Sequence, residues 1–198
     1  VQDASSTACV QAQSGTATVT VNPLPTATIT GTTSVCRDGG SPVVTFTGAS
    51  GTAPYTFTYT VNSGSNQTIS TTSGSSVTIP VNTSTAGTYT YSLVSVRDAS
   101  STTCSQSQGG SATVTVLPLP TATISGTTAV CVNAPSPQVT FTGGVGTAPF
   151  TFTYTVNGGA NQTISTGAGN SVSLLVPTSS ATTFTYALVS VTDGGSTP

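Results

Sequence analysis

Apolar and hydroxyl side chains alternate along this chain with a period of two. The clearest run is Tyr55-Thr56-Phe57-Thr58-Tyr59-Thr60-Val61, in which three aromatics and a valine share one face and three threonines the other. Successive side chains of a strand point to opposite faces, so the run predicts one row in a core and one toward solvent. Threonine suits the outer row because its β-branch favours extended backbone and its hydroxyl meets water. Similar runs, bounded by Gly, Ser, Asn and Pro clusters, predict strands near residues 27–30, 43–47, 55–62, 67–71, 76–81, 88–96 and 112–116. Their inward rows are Val44 and Phe46, Val77 and Ile79, Tyr89, Tyr91 and Leu93, and Val114 and Val116. At Leu93-Val94-Ser95-Val96 the alternation slips, which predicts a bulge or a stretch buried on both sides.

The pattern repeats at an offset of 95 with no insertion or deletion: Pro23-Leu24-Pro25-Thr26-Ala27 returns as Pro118-Leu119-Pro120-Thr121-Ala122, and Gly51-Thr52-Ala53-Pro54-Tyr55 as Gly146-Thr147-Ala148-Pro149-Phe150. The fold class expected is all-β, with tandem immunoglobulin-like seven-strand β-sandwiches on a 95-residue repeat. On this division residues 1–24 are the last strand and linker of a preceding repeat, residues 25–119 a complete repeat, and residues 120–198 a repeat lacking its last strand. Pro23, Leu24 and Pro25, like Pro118, Leu119 and Pro120, form the joints. Two prolines around one apolar residue hold the backbone near polyproline angles, so the joint is expected to be short and semi-rigid.

Composition removes whole classes of function. Charged residues are 3% of the 198, and His, Lys, Glu, Met and Trp are absent. Without His or Lys, a Ser or Thr nucleophile has no base beyond four aspartates, so enzyme function is close to excluded and no cofactor is expected. Arg37 and Arg97 are the only cations in a chain of net charge −2, too few to neutralise phosphates, so no nucleic-acid partner is expected. No apolar run is long enough to span a membrane as a helix. Ser and Thr exceed a third of the chain, so solubility must rest on hydroxyls and backbone.

Asp3, Asp98 and Asp193 occupy equivalent positions. Calcium at a domain junction is one reading, but the ion takes six to eight oxygens and no carboxylate cluster is present, so a turn residue bonding its own backbone is favoured. Asp38 and Arg37 read as a loop pair. Asn66-Gln67-Thr68, Asn82-Thr83-Ser84 and Asn161-Gln162-Thr163 match a glycosylation triplet that is frequent by chance in such a sequence. Regular threonine arrays can order water, yet these rows are short and sandwiches twist. Tyr55 and Phe150, each following a Gly-Thr-Ala-Pro loop, are the fairest candidates for contact with a ligand.

Four cysteines without histidine neighbours or close spacing suggest an oxidising compartment. Cys36 follows the first strand and Cys104 the sixth, so the two are expected to pair within the complete repeat. Cys131 plus the same offset of 68 falls at position 199, and Cys9 is equivalent to Cys104, so these two have partners outside the chain or bond to each other between chains. No leader is visible at Val1 and the chain begins inside a repeat, as expected of a trimmed or partial product. Residues 15–21 read as a lone seventh strand, leaving two explanations. The chain is a window on a longer polypeptide, or copies join head to tail with the N-terminal strand of one completing the open sandwich of the next.

The runs GTAPYTFTYTVN, TYTYSLVSVRD and SATVTVLPLPTATISG, with their spaced single cysteines, resemble the tandem immunoglobulin-like or PKD-like repeats of very large secreted surface proteins of Bacteroidetes, including gliding-motility-associated adhesins. The resemblance implies export to the cell surface, with type IX secretion as a route, and a place in adhesion, filaments or motility. It implies no catalytic motif, and neighbouring repeats or copies of the chain as partners. A binding module recognising surface glycans or a protein is the alternative. The core tryptophan and mid-strand cysteine pair of antibody domains are missing.

Overall fold

In a computed structural model of the chain, residues 9–195 are described, and the regular structure among them is strand throughout. The first group runs β1 (Thr26–Thr30), β2 (Thr33–Cys36), β3 (Val43–Ala49), β4 (Thr56–Val61), β5 (Gln67–Ser70), β6 (Ser76–Pro80), β7 (Gly87–Arg97), β8 (Ser105–Ser107) and β9 (Ser111–Leu117). One sheet has the order β1-β3-β6 and the other β2-β9-β7-β4-β5, with β8 on the flank of β7. Both sheets turn their apolar rows onto one core. Val44 and Phe46 come from the first sheet, and Phe57, Tyr59, Leu93, Val96 and Val114 from the second. Phe46 lies 5.6 Å from Phe57 and 5.1 Å from Tyr59, ring centre to ring centre, which puts the aromatic run of β4 at the centre of the sandwich.

The outward rows carry hydroxyls that meet across strands. Thr47 and Ser76 are 2.9 Å apart, and Thr56 and Ser70 are 2.8 Å apart. Such pairs give a charge-poor surface some cross-strand specificity. The slip expected at residues 93–96 is a β-bulge: Thr58 faces Ser95 while Tyr59 faces Leu93, so Val94 is the extra residue. Between β4 and β5 the chain turns through Asn62 and Ser63 at φ 49° and 58°, with the Gly64 N–H donating to the Val61 carbonyl at 2.9 Å. Two consecutive left-handed residues are the tight-hairpin geometry that matches strand twist, and asparagine tolerates it.

The second group runs β10 (Ala122–Ser125), β11 (Gln138–Gly143), β12 (Thr151–Val156), β13 (Gln162–Ser165), β14 (Ser171–Leu175) and β15 (Tyr186–Thr192). Its sheets are β10-β11-β14 and β13-β12-β15. Phe141 packs on Phe152 at 5.7 Å and on Tyr154 at 5.0 Å, reproducing the first core's aromatic contacts 95 residues on. The hairpin turn recurs too, at Asn157 (φ 49°) and Gly158 (φ 68°).

Two strands were not expected from the pattern. β2 is four residues long and lies parallel to β9, and β8 is the polar triplet Ser-Gln-Ser against β7. Neither has an alternating apolar row of its own, so periodicity has nothing to register. Conversely, residues 15–21, expected as a strand, are not one.

Candidate functional site

The two sandwiches differ at one place. In the first, β9 runs antiparallel to β7, from Gly87 opposite Val116 to Ser92 opposite Ser111, and parallel to β2, from Thr33 opposite Val114 to Cys36 opposite Leu117. Its inward side chains Ala112, Val114 and Val116 are 0%, 0% and 2% exposed. In the second sandwich no described strand occupies that place. Two neighbours change with it. Residues 128–131, equivalent to β2, are not strand, and β15 begins only at Tyr186, whereas β7 begins four residues earlier in the equivalent frame. In the first sandwich those very residues take their sheet partners from β9 alone.

What remains is a groove of about 670 Å³ between residues 124–132 and 182–186. Ile124, Val139 and Val176 line its apolar side, and Val130, Phe184 and Tyr186 its flanks. The core beneath is thinner for lack of a cover. Val81, Tyr91, Leu93 and Val96 are buried in the first sandwich, but their counterparts Val176, Tyr186, Leu188 and Val191 are only partly so.

Residues 15–21, Gly-Thr-Ala-Thr-Val-Thr-Val, match residues 110–116, Gly-Ser-Ala-Thr-Val-Thr-Val, at all but one position. In this chain they lie open to solvent, with Val19 86% and Val21 88% exposed. Their connection to the first sandwich is ordered: the Asn22 side-chain amide donates to the Thr102 hydroxyl at 3.0 Å, and Pro25 is buried. Of the second joint, Pro118 and Leu119 are exposed and Pro120 is half-buried.

Tyr55 and Phe150 are not surface residues, which corrects their expected role as ligand contacts. Tyr55 is 4% exposed and Phe150 is 0%. Each ring lies flat over a glycine: a Cβ on Gly48 would stand 2.5 Å from the Tyr55 ring, and one on Gly143 2.6 Å from that of Phe150. The Tyr55 hydroxyl donates to the Gly51 carbonyl at 2.8 Å, closing the loop that precedes it. A glycine near the end of an otherwise β-branched strand was the available sign of this close approach.

The expected disulfide between Cys36 and Cys104 is also corrected. Cys36 sits beside Leu117, at the Gly87 end of β7, whereas the Cys104 carbonyl accepts from the Asp98 N–H at 3.0 Å, beyond the Arg97 end. The two ends of that strand are about 35 Å apart at a strand's rise, and a disulfide needs Cα atoms within roughly 7 Å. No bond joins them. The cause is the sheet switch between β1 and β2, which carries Cys36 onward to the far end of the sandwich. Gly31, at φ 119°, makes that switch: a Cβ there would fall 2.3 Å from the Val43 carbonyl oxygen. Cys131, at the position equivalent to Cys36, is exposed.

Asp98 is a structural tie rather than a ligand. Its carboxylate accepts from the Thr52 N–H at 3.1 Å and from the Ser100 hydroxyl at 2.8 Å, joining its own turn to the loop after β3. Burial pushes the carboxyl's pKa up, but these hydrogen bonds outweigh it and hold the group below its ordinary 3.8. Asp193 repeats the bond to the Thr147 N–H at 2.8 Å. Asp3 lies outside the described residues, among which no group of three His, Cys, Asp or Glu could hold a metal ion. Arg37 and Asp38 pair at 3.4 Å on the surface.

No protein-family model matches the chain, and no curated protein matches it significantly. Solved structures do align with it. A calcium-stabilised adhesin that helps an Antarctic bacterium reach out and bind ice is 18% identical over 85% of this chain and 48% of its own, with a TM-score of 0.47. A structure from work on host cell surface retention of a 1.5-MDa bacterial ice-binding adhesin is 16% identical over 80% and 55%, with a TM-score of 0.46. The BSP domain of a biofilm-associated protein is 18% identical over 89% and 30%, with a TM-score of 0.25. The chain thus spans about half the length of the first two. At these identities and scores the likenesses assign no function.

Proposed function

We propose that this chain is a structural repeat segment of an extracellular bacterial filament or adhesin stalk. The observation that carries the reading is the polarity of the first sandwich. The chain enters it at Pro25, against the Asp98 loop, and leaves it at Leu117, beside the opposite end of β7. Only residues 118–121 then separate β9 from β10. Entry and exit at opposite ends, with a proline-bounded joint, string sandwiches along an axis instead of folding them back. Each unit advances that axis by roughly 30–40 Å at the rise of a strand. The rod draws no support from a Cys36–Cys104 staple.

Composition and sequence resemblance to Bacteroidetes surface repeats support the extracellular, non-enzymatic part of the reading. With no His, Lys or Glu in the sequence and with Asp98 and Asp193 bonded to loop backbone, the described residues offer no acid–base pair for catalysis. A glycan-binding module finds no support in Tyr55 or Phe150, which are core residues. The test is antibody labelling of intact source cells. Labelling of thin extended structures without permeabilisation is the expected result; signal that appears only after permeabilisation sinks the proposal.

A further inference from the structure

We infer that the cysteines bond across the joints, so that each disulfide ties one sandwich to the next. Cys104 bonds the cysteine at the Cys36 position of the preceding repeat, and Cys36 bonds the cysteine at the Cys104 position of the following one. The inference rests on reading the chain as a repeat segment, and it adds a covalent site to that reading.

The placement of the thiols carries it. Cys104 lies at the end where the chain enters the first sandwich, its carbonyl accepting from the Asp98 N–H at 3.0 Å, and Cys36 lies at the end where the chain leaves, in register with Leu117. Cys9 repeats the first position and Cys131 the second, each at the offset of 95. The two ends of one sandwich stand about 35 Å apart at a strand's rise, so the two cysteines of one repeat are out of each other's reach. Where sandwiches follow one another, the exit end of one meets the entry end of the next. The two kinds of cysteine then come to the same place.

The joint residue shows how close they come. Asn22 and Leu117 occupy the same position of the repeat. On the exit side, Cys36 is the parallel-strand neighbour of Leu117, at a strand spacing of about 4.8 Å, and the Arg37 N–H donates to the Leu117 carbonyl at 2.7 Å. On the entry side, the Asn22 side-chain amide donates to the Thr102 hydroxyl at 3.0 Å, and that hydroxyl lies 3.1 Å from the Cys104 sulfur. One position of the repeat therefore touches both the strand that carries one cysteine and the loop that carries the other. Pro25, buried beside Gly51, holds the incoming chain against that entry end.

Forming each bond removes two protons and two electrons from the two thiols. The electrons pass to a disulfide oxidant of the extracytoplasmic compartment, whose own disulfide is reduced to a dithiol. The bond and the proline-bounded segment then hold each joint at two points, which stops it from hinging and stiffens the rod.

Disulfide mapping of the native protein, isolated from its source without reductant and with free thiols alkylated before digestion by trypsin and elastase, tests this. Cleavage after Arg37 and Arg97 separates Cys36 from Cys104. The Cys104 peptide is expected to be linked to the exit-end cysteine peptide of a neighbouring repeat, and the Cys36 peptide to an entry-end one, with both links released by reduction. A bond between Cys36 and Cys104, a bond between two cysteines of the same end, or an alkylated thiol at either position overturns the proposal. Each of those results leaves the surface-labelling test of the repeat reading untouched, because that test reads location alone.

Discussion

At the scale of single residues, stability rests on a few aromatic rings and one buried carboxylate. Phe57 is fully enclosed between Phe46 and Tyr55, so Phe57→Ala is expected to cost about 3–5 kcal/mol in urea unfolding, through lost transfer energy and a cavity the rigid sandwich cannot close. Asp98 sets the acid limit. Its pKa in the folded chain lies below the ordinary value of 3.8, so its contribution is complete above that value and is lost as pH falls through the depressed one. Asp98→Asn is expected to lower the melting temperature at neutral pH and to flatten its decline in acid, as read by circular dichroism melts across pH. Tyr91 acts in the opposite sense. Burial raises Tyr91, with Tyr59 and Tyr89 adding to the effect, so the stabilisation its neutral form brings is full below pH 10 and lost as pH rises through its raised pKa.

At the scale of elements, the decisive positions are those where the backbone changes sheet or turns back. Gly31 and Gly126 stand at the switch after β1 and β10, both at φ 119°, with a neighbouring carbonyl oxygen 2.3 Å from where a Cβ would be. Gly31→Ala is expected to destabilise the first sandwich by more than about 1 kcal/mol, since it adds a backbone clash to an unfavourable dihedral. Gly110→Ala, at φ 120°, serves as the control for the dihedral, because only the Ile29 side chain, at 3.3 Å, lies near its would-be Cβ; equal losses in urea unfolding would show that the backbone clash contributes nothing. Much of this level was legible beforehand. The strands carrying alternating apolar rows, the bulge around Val94 and the inward placement of Val44, Phe46 and Val114 all follow from periodicity. β2 and β8 did not announce themselves, because each owes its conformation to an adjacent backbone rather than to its own side chains.

At the scale of the whole molecule, the two sandwiches are near-copies in sequence but unequal in packing. Thirteen buried apolar residues form the first core and five the second, and the difference centres on the place β9 fills. Unfolding followed by hydrogen exchange is expected to proceed in two steps, with the second sandwich opening first. Amides of residues 182–184 should exchange fast where those of residues 87–89 are protected, while Thr185, whose N–H donates to the Asn157 side chain at 2.8 Å, should match Thr90. Equal protection of the two stretches would contradict that order of opening.

By itself the sequence determined what depends on a residue's own chemistry and its near neighbours. Alternation dictates which row of β4 faces the core, and the Gly, Ser, Asn and Pro clusters dictate where the strands break. Only the tertiary structure decided what depends on residues far apart in the chain. It turned Tyr55 and Phe150 inward over glycines, and it carried Cys36 to the end of the sandwich away from Cys104. The reason is that a strand is completed by its partner's hydrogen bonds and by the core it covers.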